Sequence, residues 1–174
     1  MAAHIERLLA SLQKKSDWRV REDNPAALAE EGPSRACQAV CAYVREAAAK
    51  LKATLDGRNL RLVQAELAQR LHRALWAHLR RFSVSAGLGG MRLLRDCSEY
   101  RDLVRRLQLA AAAPAVADSF EQLREAANLF VVPPGNLRPL LEEGALLSRL
   151  DAAERLALVR LRSDFQSSWI GRYV

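Results

Sequence analysis

Leu60, Leu67, Leu71, Leu75, Leu79 and Phe82 return on one side of a helical wheel over more than twenty residues. Side chains advance about 100° per residue in a helix and alternate faces in a strand, so this spacing commits residues 59–82 to an amphipathic helix. A helix of that length must lay its stripe against other helices or a sheet. The rest of the chain offers helices. Ile5, Leu8, Leu9 and Leu12 carry the same period over 3–14, and Cys37, Val40, Val44, Ala47 and Leu51 carry it from Pro33 or Ser34 to Leu55, facing away from Arg45, Ala49 and Lys52. Further helical regions are predicted at 90–108, with a break near Asp96 or Ser98, and at 115–130, with Val116, Phe120, Leu123 and Ala127 aligned. "LFVV", residues 129–132, is the one β-friendly run, and it is too short and isolated to found a sheet. The fold class is therefore all-α, a stacked antiparallel helical bundle.

The connections follow from turn chemistry. "KSDWRVREDNPAALAEEGPS", residues 15–34, loses the period and gathers Asp, Asn, Gly and Pro, as a linker does. Ser34 is placed to cap the next helix, "DGRN" at 56–59 reads as a tight turn with Asn59 as a cap, and "SVSAGLGG" at 83–90 reads as a flexible loop. Pro133 and Pro134 end the preceding helix near Phe130, because proline donates no backbone hydrogen bond and biases its predecessor away from helix. Asn136 then caps a short helix at 137–143 that Gly144 closes, and Asp151 with Glu154 opens the last helix. Leu156 and Val159 on one side of that helix and Leu158, Leu161 and Phe165 on another suit burial between two layers. Two portions result: 1–82, N-terminal helices with a long linker, and 83–174, a C-terminal bundle packed continuously with the first.

Half of the 174 residues are hydrophobic, and no apolar run approaches the roughly 18–20 residues that cross a bilayer. Three cysteines do not make a disulfide framework and point to a reducing, cytosolic setting. Cys37 and Cys41 share a helical face, but zinc needs two more ligands in register, and the apolar stripe beside them fits cysteine as a small hydrophobe. His72 and His78 lie six apart and point in different directions; His78 falls inside the apolar arc as a hydrogen-bonded core histidine. "GLGG" has neither the spacing nor the preceding strand of a nucleotide-binding loop. The sequence thus nominates no catalytic residue, no cofactor, no metal and no small-molecule substrate.

What remains is charge. The net charge is +7, with 23 arginines against four lysines and acidic residues interspersed throughout. Arg70, Arg73, Arg80 and Arg81 fall within about a third of the circumference of the third helix, diluted by Glu66. Single-stranded nucleic acid would want aromatic platforms among them, and Trp76, the nearest, lies at the edge of the apolar face. A solvated face is the plain reading of such an arc, and the four arginines are also the candidate contacts to a partner protein. A basic helical module binding anionic lipid or nucleic acid directly is the alternative.

Three segments, in order, resemble the C-terminal part of the exocyst complex component five family, the Sec-ten subunit. They are "CQAVCAYV" with "LDGRN" and "LHRALWAHLRRF"; "GGMRLLRDCSEYRDL", whose Asp96, Glu99 and Tyr100 match an Asp-x-x-Glu-Tyr pattern; and "FEQLREAANLFVVPPGNL" continuing to "LRSDF", an Arg-x-Asp-aromatic element. "QKKSDW" near the start also fits. Gly135 stands where the family has an acidic residue, and Pro139 is added in the short helix that follows. The resemblance implies a non-catalytic subunit built of stacked helical bundles, cytoplasmic and recruited to sites where secretory vesicles dock at the plasma membrane. It implies other exocyst subunits as partners and allows an indirect association with membrane. It makes "NLFVVPPGNL" a corner between packed helices, with Phe130 and Val131 buried.

Overall fold

A computed structural model describes residues 2–20, 32–166 and 169. Among these the elements are helices: α1 (Ala2–Leu12), α2 (Lys15–Trp18), α3 (Arg35–Thr54), α4 (Gly57–Leu79), α5 (Leu88–Arg106), α6 (Pro114–Asn128), α7 (Leu137–Glu143) and α8 (Ala152–Val159). Short 3-10 turns at Pro134–Asn136 and Leu147–Arg149 join the last three. No strand occurs among the described residues; one isolated parallel bridge joins Val84 to Arg162.

The four long helices close a ring of contacts in which α3 packs on α4, α4 on α6, α6 on α5 and α5 back on α3. The two-residue connection Leu55–Asp56 folds α4 back along α3, and α1 lies against both. The buried faces are those the periodicity selects. Cys37, Val40, Cys41 and Val44 line α3, and Leu67, Leu71, Leu75 and Leu79 line α4; Ala47, Leu51 and Phe82 are half-buried at the margins. Alanines and cysteines on α3 keep that face narrow, while Phe120 and Phe130 supply bulk from the α6 side, each aromatic contributing roughly 2–3 kcal/mol of burial.

Helix ends show where local chemistry decides and where it does not. Ser34 Oγ accepts from the Cys37 amide at 3.1 Å, and Asp151 Oδ1 from the Glu154 amide at 2.7 Å, both as the sequence predicts. Asn59 is not a cap. The helix starts two residues earlier because Gly57 takes a positive φ of 51° that turns the chain at Asp56, so Asn59 lies inside the first turn. Asn136 is not a side-chain cap either; the 3-10 turn before α7 feeds the helix directly. α4 ends at Leu79 rather than 82, which releases Val84 to exchange backbone hydrogen bonds with Leu161 and Ser163, both at 2.8 Å.

Two corrections concern the first and third connections. Residues 15–20 are not linker: α2 forms there, and Trp18 is buried against α5. Most of the predicted linker, residues 21–31, lies outside the described residues. Nor is "GLGG" a flexible loop. Gly89 and Gly90 are buried in the first turn of α5, where a Cβ on Gly89 would clash with the Trp18 carbonyl and one on Gly90 with the Phe130 carbonyl. The glycines let two backbones touch the helix: Ser85 N–H donates to Trp18 O and Gly87 N–H to Phe130 O, each at 2.9 Å.

α5 also runs unbroken through Asp96 and Ser98. A mid-helix aspartate weakens a helix by competing for its backbone. Here both Asp96 oxygens are engaged elsewhere, Oδ2 by Trp18 Nε1 at 3.1 Å and Oδ1 by the Ser34 amide at 2.8 Å.

Candidate functional site

The four arginines nominated from the sequence are all exposed, on or just beyond α4. Their environments differ. Arg70 Nε pairs with Glu66 at 2.6 Å one turn away, with both side chains about half exposed. Arg80, at the C-cap, reaches Glu154 of α8 at 3.4 Å and lies 5.4 Å above the Trp76 ring. Trp76 in turn stacks on His72 at 5.8 Å, so an aromatic pair supports the guanidinium. The guanidinium groups of Arg73 and Arg81 make no ion pair or hydrogen bond with any described residue. Exposed ion pairs hold by roughly 0–1 kcal/mol, so even the Arg70 and Arg80 pairs can exchange for a partner's carboxylate at little cost.

Behind this face lies a buried polar hub that the sequence reading missed. Asp96, only 2% exposed, holds Trp18 and the start of α3 at once through the two bonds given above. Burial raises its pKa, and the hydrogen bonds from Ser34 and Trp18 pull the other way. The Cys37 thiol sits 4.0 Å from Cys41 Sγ and 3.8 Å from the Asp96 carbonyl, and its pKa is raised by the Cys41 contact and burial. All three cysteines are free and buried. Burial likewise raises Cys97 and Tyr100, so these thiols and the phenol stay protonated and serve packing. Among the described residues no group of three or more His, Cys, Asp or Glu is arranged to hold a metal ion. The signals for the hub were present as Trp18 in "QKKSDW" and Asp96 in "DCSEY", yet nothing local says that they meet.

His78 is buried as predicted but not hydrogen-bonded at Nε2. Its ring packs against Phe82 at 4.8 Å and edge-on to Trp18 at 6.1 Å. Burial, aided by Arg81, pushes its pKa from the ordinary 6.5 down to about 4. The folded chain thus takes up this proton less readily than the unfolded chain. Stability from neutral His78 is complete above pH 6.5 and is lost as pH falls toward about 4. Asp96, with its raised pKa, works in the opposite direction, so the variant difference is the informative quantity. Compared with wild type, His78→Leu is expected to lose up to about one proton's worth of pH dependence in this window, about 1.4 kcal/mol per pH unit at the limit. Urea unfolding at several pH values measures this; parallel pH profiles for the two proteins would show that the buried ring does not titrate as described.

The second missed element is the "LRSDF" arginine. Arg162 is 2% exposed, and its Nη1 donates to the carbonyls of Leu129 and Val132, the latter at 2.8 Å. Nε and Nη2 fork onto Asp164 at 2.9 and 2.8 Å, and the guanidinium lies 5.4 Å from the Trp169 ring centroid. This completes the corner at "NLFVVPPGNL": carbonyls left unpaired where α6 ends are satisfied by a planar cation from the far end of the chain. Leu129 and Phe130 are fully buried at the corner, whereas Val131 is only half-buried, contrary to expectation.

The architecture is that of an all-α helical bundle, an apolar core closed by the polar clamps of Asp96 and Arg162. Comparison with known proteins gives the family. Residues 1–172 match the family described as exocyst complex component Sec10-like, alpha-helical bundle, and the chain belongs to it. It is similar to exocyst complex component 5 of Homo sapiens, 34% identical over 99% of this chain and 23% of that protein. Exocyst complex component 5 of Oryza sativa subsp. japonica is 36% identical over 97% of the chain and 20% of its own length. Exocyst complex component SEC10a of Arabidopsis thaliana is 36% identical over 95% and 19%. The chain therefore spans under a quarter of the length of the relatives it matches. No helix among the described residues is long and apolar enough to cross a membrane.

Proposed function

We propose that this chain is a non-catalytic helical scaffold and interaction module of the exocyst, working in the tethering of secretory vesicles to the plasma membrane before fusion. The family match along nearly the whole chain carries this reading. Its partners are other exocyst subunits, its association with membrane is indirect, and it works in the cytoplasm at vesicle–membrane contact sites. Residues 1–82 and 83–174 act as one packed unit, a reading supported by α4 resting on α6 and α3 on α5.

Arg70, Arg73, Arg80 and Arg81 form part of a partner contact. Arg73 and Arg81 have guanidinium groups free for it, and the Trp76 ring under Arg80 adds an aromatic anchor beside them. The double substitution Arg73→Glu with Arg80→Glu is expected to leave the helical circular dichroism spectrum unchanged. Recovery with other exocyst subunits in co-isolation should fall about five- to tenfold, with the loss greater at low salt, as expected when like charges face an acidic surface. Full recovery of the double variant would remove these arginines from the interface. Normal recovery with weakened binding to anionic liposomes would instead support the basic-module alternative.

A further inference from the structure

The C-terminal turns of α5 and the first half of α6 enclose a groove of about 520 Å³, within the range of sites that take small ligands or single side chains of a partner. Val104, Ala110, Ala117 and Phe120 provide an apolar lining. The turn that follows α5 fixes one wall of the groove. There Gln108, at a φ of 55°, reverses the chain while its amide donates to Arg105 O and the Leu109 amide to Val104 O, both at 3.0 Å. This six-to-one and five-to-two pair of bonds locks the end of α5, usually with glycine at the left-handed position. A rigid, apolar-lined groove loses little entropy on binding.

Its charges identify the occupant. Both carboxylates on the lining already have cations: Asp118 faces Arg149 at 3.7 Å, and Glu121 faces Arg124 at 3.2 Å and Arg101 at 3.6 Å. Arg101 is further held by Asp102 at 2.8 Å. Arg105 lines the same groove, is exposed, and its guanidinium makes no ion pair or hydrogen bond with a described residue. An apolar slot beside a single uncompensated arginine calls for an apolar side chain next to a carboxylate. We propose that this groove docks a segment of a partner protein that places a bulky aliphatic or aromatic side chain in the slot. An Asp or Glu within one helical turn of that side chain meets Arg105. The site is separate from the α4 arginines and stands or falls independently of them.

The test is to pan a random peptide library displayed on phage against the full chain, then measure the selected peptides by fluorescence anisotropy. Enriched sequences should pair a bulky apolar residue with Asp or Glu three or four positions away. Arg105→Glu and Ala111→Trp, both at exposed positions, should each weaken binding about tenfold, the first by charge and the second by filling the groove. Arg105→Gln should give a smaller loss, and a Glu→Lys version of the peptide should regain affinity for the Arg105→Glu chain. That charge exchange is a readout that mere unfolding does not reproduce. The proposal is overturned by a library with no enriched peptides, or by peptides indifferent to both substitutions. It is equally overturned if Arg105→Glu abolishes sedimentation with phosphatidylserine vesicles, which would make the occupant a membrane. Dissociation of a dimer of this chain by Ala111→Trp would make it a second copy.

Discussion

Arg162→Ala is expected to lower the free energy of unfolding by about 3 kcal/mol, read as a shift of the urea midpoint at unchanged m-value. Three losses add up to that figure. The Leu129 and Val132 carbonyls lose the donor that now serves them at the end of α6, and a buried acceptor without a partner costs about 1–3 kcal/mol. The space left by a side chain only 2% exposed adds a cavity contribution. The contact with Trp169 is lost as well. The forked bond to Asp164 contributes less, because that carboxylate is 40% exposed and water replaces the arginine there. Arg162→Lys separates geometry from charge. A single ammonium cannot bond two carbonyls and fork onto Asp164 together, so about 2 kcal/mol should still be lost. If the lysine variant unfolds at the wild-type midpoint, charge alone holds the corner and the planar fork is irrelevant.

The same residue shows what the sequence conceals. Ser34 and Asp151 were legible as caps because each bonds an amide three residues away. The stripes of α3 and α4 were legible because burial repeats with the helical period over five or more turns. Arg162 reaches back 33 residues to Leu129, Ser34 meets Asp96 across 62, and Trp18 meets it across 78. No local pattern encodes such distances, and local propensity misleads at two of these places. Asp96 in mid-helix suggested a break, and the glycines ahead of it suggested a loose loop. Both are tertiary contact points whose poor helix propensity is outweighed by what they touch. The candidate contact surface divides in the same way. Angular clustering of Arg70, Arg73, Arg80 and Arg81 follows from spacing alone, whereas the engagement of Arg80 by Glu154, 74 residues on, does not. The groove beside Arg105 was invisible because its lining comes from two helices and the turn between them.

Gly90→Ala is the other substitution with a large expected effect, and its sign runs against helix propensity. Alanine in place of glycine inside a helix is ordinarily worth up to about 1 kcal/mol of stabilisation. At this position the new methyl would meet the carbonyl oxygen, the carbonyl carbon and the Cβ of Phe130. The first two belong to the backbone of a corner whose side chain is fully buried, so no rotamer change relieves the contact. α5 must move off the corner, stretching the 2.9 Å bond from Gly87 N–H to Phe130 O and, through the same turn, the bond from Ser85 N–H to Trp18 O. Overpacking of this kind costs about 1–3 kcal/mol, and each strained hydrogen bond adds about 1 kcal/mol. The net loss should be about 2–4 kcal/mol, a fall in melting temperature of roughly 5–15 °C at two to four degrees per kcal/mol. Gly135→Ala is the control: a Cβ there meets nothing within 4 Å, and the variant should melt within about 1–2 °C of wild type. A Gly90→Ala protein as stable as wild type would mean that the corner yields freely. The two-sided docking of Trp18 and Phe130 on the first turn of α5 would then not be what fixes the α2 and α6 ends of the bundle.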